Sequence, residues 1–253
     1  MASVTYSEFL GSPQFKFLVG PEAQEYTVHS ALVARQSEAL GALVNGNFRE
    51  GEERCAIWNE VEVDTFIRFS QYAYTGDYEE AEPQKLFQPS PVVKNADKDY
   101  ELDFSFEHLE KSKKDRLWEK FCRLYPRTRP SITSNMVEDD YTEVLLSHAR
   151  MYVLGDMWGI EDLQHVALRK LKEVLSRYTF YEQGPQEIAQ LIRYSFDHTV
   201  DKGEHRDPLR TLVSTYAACR VEELLDDDNF AELLGTISEF PISLMRILRD
   251  RLD

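Results

Sequence analysis

The sequence predicts an α+β domain, a small β-sheet flanked by helices, followed by an all-helical C-terminal extension. Two short runs separated by a turn, Phe15–Val19 and Glu25–His29, supply the first strands. Helical spacing then runs to a glycine stop at Gly76, and beyond Tyr141 the apolar residues recur only at helical intervals. Between those two parts lies a stretch without clear periodicity.

Phe15-Lys16-Phe17-Leu18-Val19 is aromatic-rich and ended by Gly20-Pro21, which reads as a strand and a turn. Glu25-Tyr26-Thr27-Val28-His29 forms a hairpin with it. Ser30 stands where a helix N-cap is expected, ahead of Ala31–Arg35, and Ser37 repeats the device ahead of Leu40, Leu43 and Val44. Asn45-Gly46-Asn47 breaks that second helix with turn chemistry. Arg54–Trp58 reads as a third strand. Phe66, Ile67, Phe69, Tyr72 and Ala73 then form a broad helical stripe that stops at Gly76.

From Pro83 to Asp140 the character changes: five of the ten prolines fall here (Pro83, Pro89, Pro91, Pro126, Pro130), among charge clusters. Such a stretch predicts a long, partly disordered insertion. Within it, Leu117, Trp118, Phe121, Cys122 and Leu124 fit a short amphipathic helix, either docked on the body or awaiting a partner.

Helices return with Val144, Leu145, Ala149, Tyr152 and Val153, and then with Leu163, Ala167, Leu171, Val174 and Leu175. Pro185 and Asp207-Pro208 open two more, the second running through Val221, and Phe230–Leu252 gives one or two last helices punctuated by Pro241. The expected organisation is therefore residues 1–82, an insertion over 83–140, helices completing the first domain over 141–178, and a helical extension over 179–253.

Composition narrows the function. A net charge of −16 repels phosphate backbones, so nucleic acid is not an expected partner. No apolar run reaches the length of a membrane span, and the first residues lack the basic start and apolar core of a leader, so no membrane partner is expected either. Cys55, Cys122 and Cys219 stand at long spacings without a Cys-x-x-Cys pair, which fits reduced thiols in the cytoplasm or nucleus.

Nothing in the pattern announces chemistry. Six histidines lack metal-ligand spacing: His29 reads as a structural histidine, and His198 and His205 as members of a solvated loop. Nucleophile-elbow, phosphate-loop, dinucleotide and zinc-protease motifs are missing from the sequence. Carboxylate runs such as Glu52-Glu53 and Asp226-Asp227-Asp228 read as solvated. No catalytic residue, cofactor or metal ligand is therefore predicted.

The segment Phe15–Tyr78 resembles a BTB/POZ domain. The resemblance is carried by Phe17-Leu18-Val19-Gly20, Val28-His29-Ser30-Ala31-Leu32, Ser37 with Leu40, Asn45-Gly46-Asn47-Phe48-Arg49-Glu50, and Phe69-Ser70-Gln71-Tyr72-Ala73-Tyr74-Thr75-Gly76-Asp77-Tyr78. His148–Asp156 resembles the family's next helix, and the Asn45–Glu50 run with Asp207–Glu223 resembles the fungal members in particular. The resemblance implies protein–protein interaction, as an adaptor or scaffold, and in part of the family as a substrate adaptor for cullin-based ubiquitin ligases. A regulator or scaffold with no ubiquitin role is the alternative, and an enzyme with a site assembled from distant residues a third class.

In cullin-binding members a hydrophobic-x-Glu motif follows the third helix, and it falls here on Phe48-Arg49-Glu50. Where dimeric members carry an Asp and a basic residue in a charged pocket, this chain has Gln14 and Ser30. Losing both charges together abandons the pocket's electrostatics without stranding either one. A monomer or weak dimer is thus expected in place of the family-type homodimer, with a cullin and an unnamed client as partners.

Overall fold

The computed structural model describes residues 6–86, 112–125, 135–203 and 205–252. These fall into two compact units, residues 1–81 with 150–167 and residues 82–149 with 168–253. The architecture is α+β.

In the first unit, β1 (Gln14–Val19) and β2 (Gln24–His29) form the antiparallel hairpin, in a register that sets Phe17 opposite Tyr26. Alternation along β1 buries Phe15, Phe17 and Val19, the half-buried pattern that fixes register. The third strand, β3 (Cys55–Trp58), lies on the other side of β1 and parallel to it, giving the order β2-β1-β3. A parallel neighbour requires a crossover, and α2 (Ser30–Ala34), α3 (Glu38–Asn45) and α4 (Arg49–Glu53) supply it. Then α5 (Val63–Thr75) ends at Gly76, whose φ of 76° is the left-handed stop that glycine adopts without strain.

An aromatic cluster forms this core. Phe17 meets Trp58 edge-on with centroids 4.8 Å apart, Phe66 closes on both rings, and Trp158 stacks on Trp58 at 5.0 Å. Each such pair contributes about 0.5–1.5 kcal/mol beyond the area it buries. Ahead of the sheet, α1 (Tyr6–Leu10) buries Phe9 edge-on against His29 and Tyr74 of the same chain.

Two local expectations meet different outcomes. Ser37 caps α3, its hydroxyl accepting from the Leu40 N–H at 3.1 Å. Ser30 does not cap α2: it is the first helical residue, and His29 holds the cap position without a side-chain bond. The strand runs directly into the helix, so the Ser30 N–H is already taken by the Pro13 carbonyl at 2.9 Å.

In the second unit, β4 (Gln84–Lys85) pairs antiparallel with β5 (Asp139–Asp140), tied by a Lys85–Asp139 ion pair at 2.5 Å. Between them in sequence, α6 (Lys113–Arg123) carries a full capping box, Ser112 with Asp115. The question of its partner is settled: Leu117 and Phe121 are buried, and Phe121 lies 5.4 Å from the ring of Tyr216 on α10 (Pro208–Cys219). The partial disorder expected over 83–140 falls in part on residues 87–111 and 126–134, which lie outside the described residues.

α7 (Thr142–Trp158) and α8 (Glu161–Arg177) each contribute residues to both units; in the second, α9 (Gly184–His198) with α6 and α13 (Glu239–Leu252) packs around α10. The expected single helix through Val221 breaks at Arg220, and α11 (Val221–Leu224) is a separate turn. Asp227, expected to be merely solvated, caps α12 (Asp228–Thr236) by accepting from the Phe230 N–H at 3.0 Å. Pro241 interrupts nothing. It sits in the first turn of α13, where an amide proton has no helical acceptor.

A buried cation ties together part of this unit's interior. Arg210, 5% exposed, donates to the Phe196 carbonyl at 2.8 Å, to the hydroxyl and carbonyl of Thr199, and to Glu239. Its guanidinium also lies 4.6 Å over the Phe196 ring, so every face of the buried charge is engaged. The side chain thereby ties the end of α9 to the starts of α10 and α13.

Candidate protein-contact site

Seven consecutive residues, Asn45–Gly51, build the most distinctive surface corner of the first unit. α3 ends at Gly46 in an extended conformation, and α4 begins three residues later. The two glycines make so short a reversal possible. A Cβ at Gly51 would collide with the Gly46 carbonyl oxygen, and one at Gly46 would collide with the Ala42 carbonyl. The backbone thus folds onto itself at a distance no side chain permits. Gly51 had not stood out in the sequence. A second glycine five positions after Gly46 is the signal that could have found it.

This tight turn points Phe48 outward. It occupies the N-cap of α4, its carbonyl accepting from the Glu52 N–H at 3.1 Å, while the residue remains 67% exposed. Arg49 is exposed and pairs with Glu53 at 2.8 Å along the helix. Glu50 is half-buried, with no ion-pair partner among the described residues. Burying a phenyl ring stabilises by roughly 1.5–3 kcal/mol, and Phe48 makes little use of this within its own unit. The corner therefore presents an unburied aromatic ring with a carboxylate two residues on, a combination suited to an apolar slot with a donor at its edge.

Gln14 and Ser30 lie near a second feature. Gln14 is exposed at the start of β1, opposite His29, and Ser30 helps line an open groove of about 640 Å³ together with Pro13, Ala34 and Arg35. The charged side chains at this groove are Arg35 and Glu38; Gln14 and Ser30 bring neutral groups to the region. Beside it α1 folds back on its own chain. The Ala31 N–H donates to the Ser12 hydroxyl, which itself donates to the Phe9 carbonyl at 2.7 Å.

Titratable groups come together elsewhere, in the second unit. Glu187, 3% exposed, accepts from the Tyr178 hydroxyl, with Asp139 and Asp140 nearby. Burial is the main force raising its carboxyl to about 7; the Tyr178 hydrogen bond pulls the other way, and the two aspartates add to the rise. Burial likewise raises the Tyr178 hydroxyl. Neither Glu187 nor Tyr178 lines the 640 Å³ groove.

Two of the histidines are engaged structurally. His29 Nδ1 lies 2.7 Å from the Tyr74 hydroxyl, and His198 Nδ1 lies 2.9 Å from the Tyr194 carbonyl with its ring stacked on Tyr194. No disulfide links the three cysteines. Among the described residues no group of three or more His, Cys, Asp or Glu is placed to hold a metal ion, and no helix is long and apolar enough to cross a membrane. No family model matches the chain, and no curated protein matches it.

Proposed function

We propose that the chain is a non-enzymatic interaction protein of BTB/POZ type, an adaptor or scaffold of the cytoplasm or nucleus that offers Phe48-Arg49-Glu50 to a cullin-type partner. The observation that carries this reading is the outward Phe48, 67% exposed on a turn too tight to be a casual loop. A phenylalanine serving only its own core would be buried. Its surroundings support the reading further: a three-stranded sheet with a parallel crossover through three short helices lies within one unit, which holds the whole Phe15–Tyr78 segment.

The same reading holds the protein to a monomer or weak dimer. Neutral Gln14 and Ser30 support this, as does Phe9, which spends its apolar surface on His29 and Tyr74 within the chain. Sedimentation showing a tight dimer would overturn that part. For the contact itself, a pull-down with a cullin is the test: wild type is retained, and Phe48→Ala and Glu50→Ala are not. Failure of the wild type to be retained would leave a scaffold with no ubiquitin role.

A further inference from the structure

The second unit holds a feature at odds with the chain's acidity. A groove of about 430 Å³ opens where α6, α10 and α13 meet, and four cations line it: Lys120, Arg206, Arg246 and Arg249. Among the described residues no carboxylate lines it. Among them too, Arg206, Arg246 and Arg249 make no ion pair, although the chain carries 45 acidic residues against 29 basic ones. Elsewhere in the unit Lys85, Lys114, Arg210 and Arg220 each face a carboxylate.

The remaining wall is mixed: Leu117 and Leu124 from α6 and Ile247 between the two α13 arginines are apolar, and Thr211 and Thr215 come from α10. Arg246 and Arg249 are three residues apart on one helix and so stand on the same face. Arg206 approaches from the segment leading into α10, and Lys120 from α6. A bare oxyanion would gain nothing from leucine and isoleucine walls. A peptide with carboxylates for the rim and an apolar side chain for the floor would use both. Nucleic acid fits poorly, because four cations around a single groove make no continuous basic stripe and the whole chain repels a polyanion.

We propose that this groove is a docking site for a short acidic segment of a partner protein that carries one or two bulky apolar side chains. The proposal deepens the adaptor reading by giving the client its own surface, and it rests on that reading only in taking the occupant to be a protein.

The test is fluorescence anisotropy with the full chain and a labelled hexapeptide, Glu-Asp-Leu-Phe-Glu-Asp. Binding is expected, weakening as salt rises to about 0.3 M. R246E combined with R249E should weaken it about tenfold or more, and because both side chains are exposed the variant should still unfold in one cooperative transition. Replacing the peptide's Leu and Phe by Ser should also weaken binding about tenfold. The F48A/E50A variant should bind the peptide as wild type does, so failure here is separable from failure of the cullin contact. The proposal is overturned if the peptide does not bind, if charge reversal leaves binding unchanged, or if inorganic phosphate or a single-stranded oligonucleotide displaces the peptide at equal charge concentration.

Discussion

The Phe48 corner and the cationic groove are contact surfaces built in opposite ways. The corner comes from seven neighbours in sequence and depends on two glycines that let the backbone approach itself. The groove collects four cations spread from Lys120 to Arg249 and depends on three helices packing correctly. One is a local device set on a fold; the other is a product of the fold. They should therefore fail differently: global damage to the second unit should abolish the groove, whereas small, local changes should suffice to remove the corner.

The largest expected effect breaks the groove through its scaffold. Arg210→Met leaves the Thr199 and Phe196 carbonyls without their donor and removes the tie between α9, α10 and α13. A loss of about 3–5 kcal/mol is expected, read as a lower urea midpoint, together with loss of acidic-peptide binding. If the midpoint holds, Arg210 is not what keeps those helices together.

Next in size is a pH effect confined to the second unit. The folded Glu187 carboxyl keeps its proton to about pH 7, whereas the unfolded chain releases it near the ordinary value of about 4.5. Between these values the folded state binds more protons, so stability falls as pH rises through that window and levels off above it. A tenfold difference in proton affinity between the two states is worth about 1.4 kcal/mol, so the whole decline amounts to a few kcal/mol at most. Glu187→Gln should flatten it, and a variant that tracks wild type across the window would show that other groups govern the slope.

The local comparison is sharpened by Gly51→Ala. The added methyl meets the Gly46 carbonyl, so the turn must open, at about 1–3 kcal/mol. Cullin retention should fall because Phe48 is displaced, while acidic-peptide binding stays intact. Loss of both would mean that the corner and the groove are not independent.

The same contrast explains what could be read from the chain. The hairpin, the Gly76 stop and the helical stripes announced themselves because each is governed by neighbours in sequence: alternation buries Phe15, Phe17 and Val19. The Phe48 corner is just as local, yet the sequence marked it only through the resemblance, and Gly51 went unnoticed. Ser30 misled because serine before an apolar run signals a cap only where the chain turns, and here a strand continues straight into α2. Amphipathic spacing in Lys113–Arg123 revealed a face but not Tyr216, nearly a hundred positions away, on which that face packs. Asp227 looked like part of a solvated run because a cap is defined by the backbone of residues that follow it. The groove was invisible for two reasons: its cations are dispersed among a majority of acids, and only packing brings them together.

The most direct test of whether Phe48 serves a partner and not the fold is a paired measurement on Phe48→Ala: affinity for a cullin beside the urea unfolding midpoint. Because the ring is largely exposed, stability should stay within about 0.5 kcal/mol of wild type, while affinity drops about tenfold or more. Equal affinity for wild type and variant, or an affinity loss matched by a loss of stability, would contradict the account.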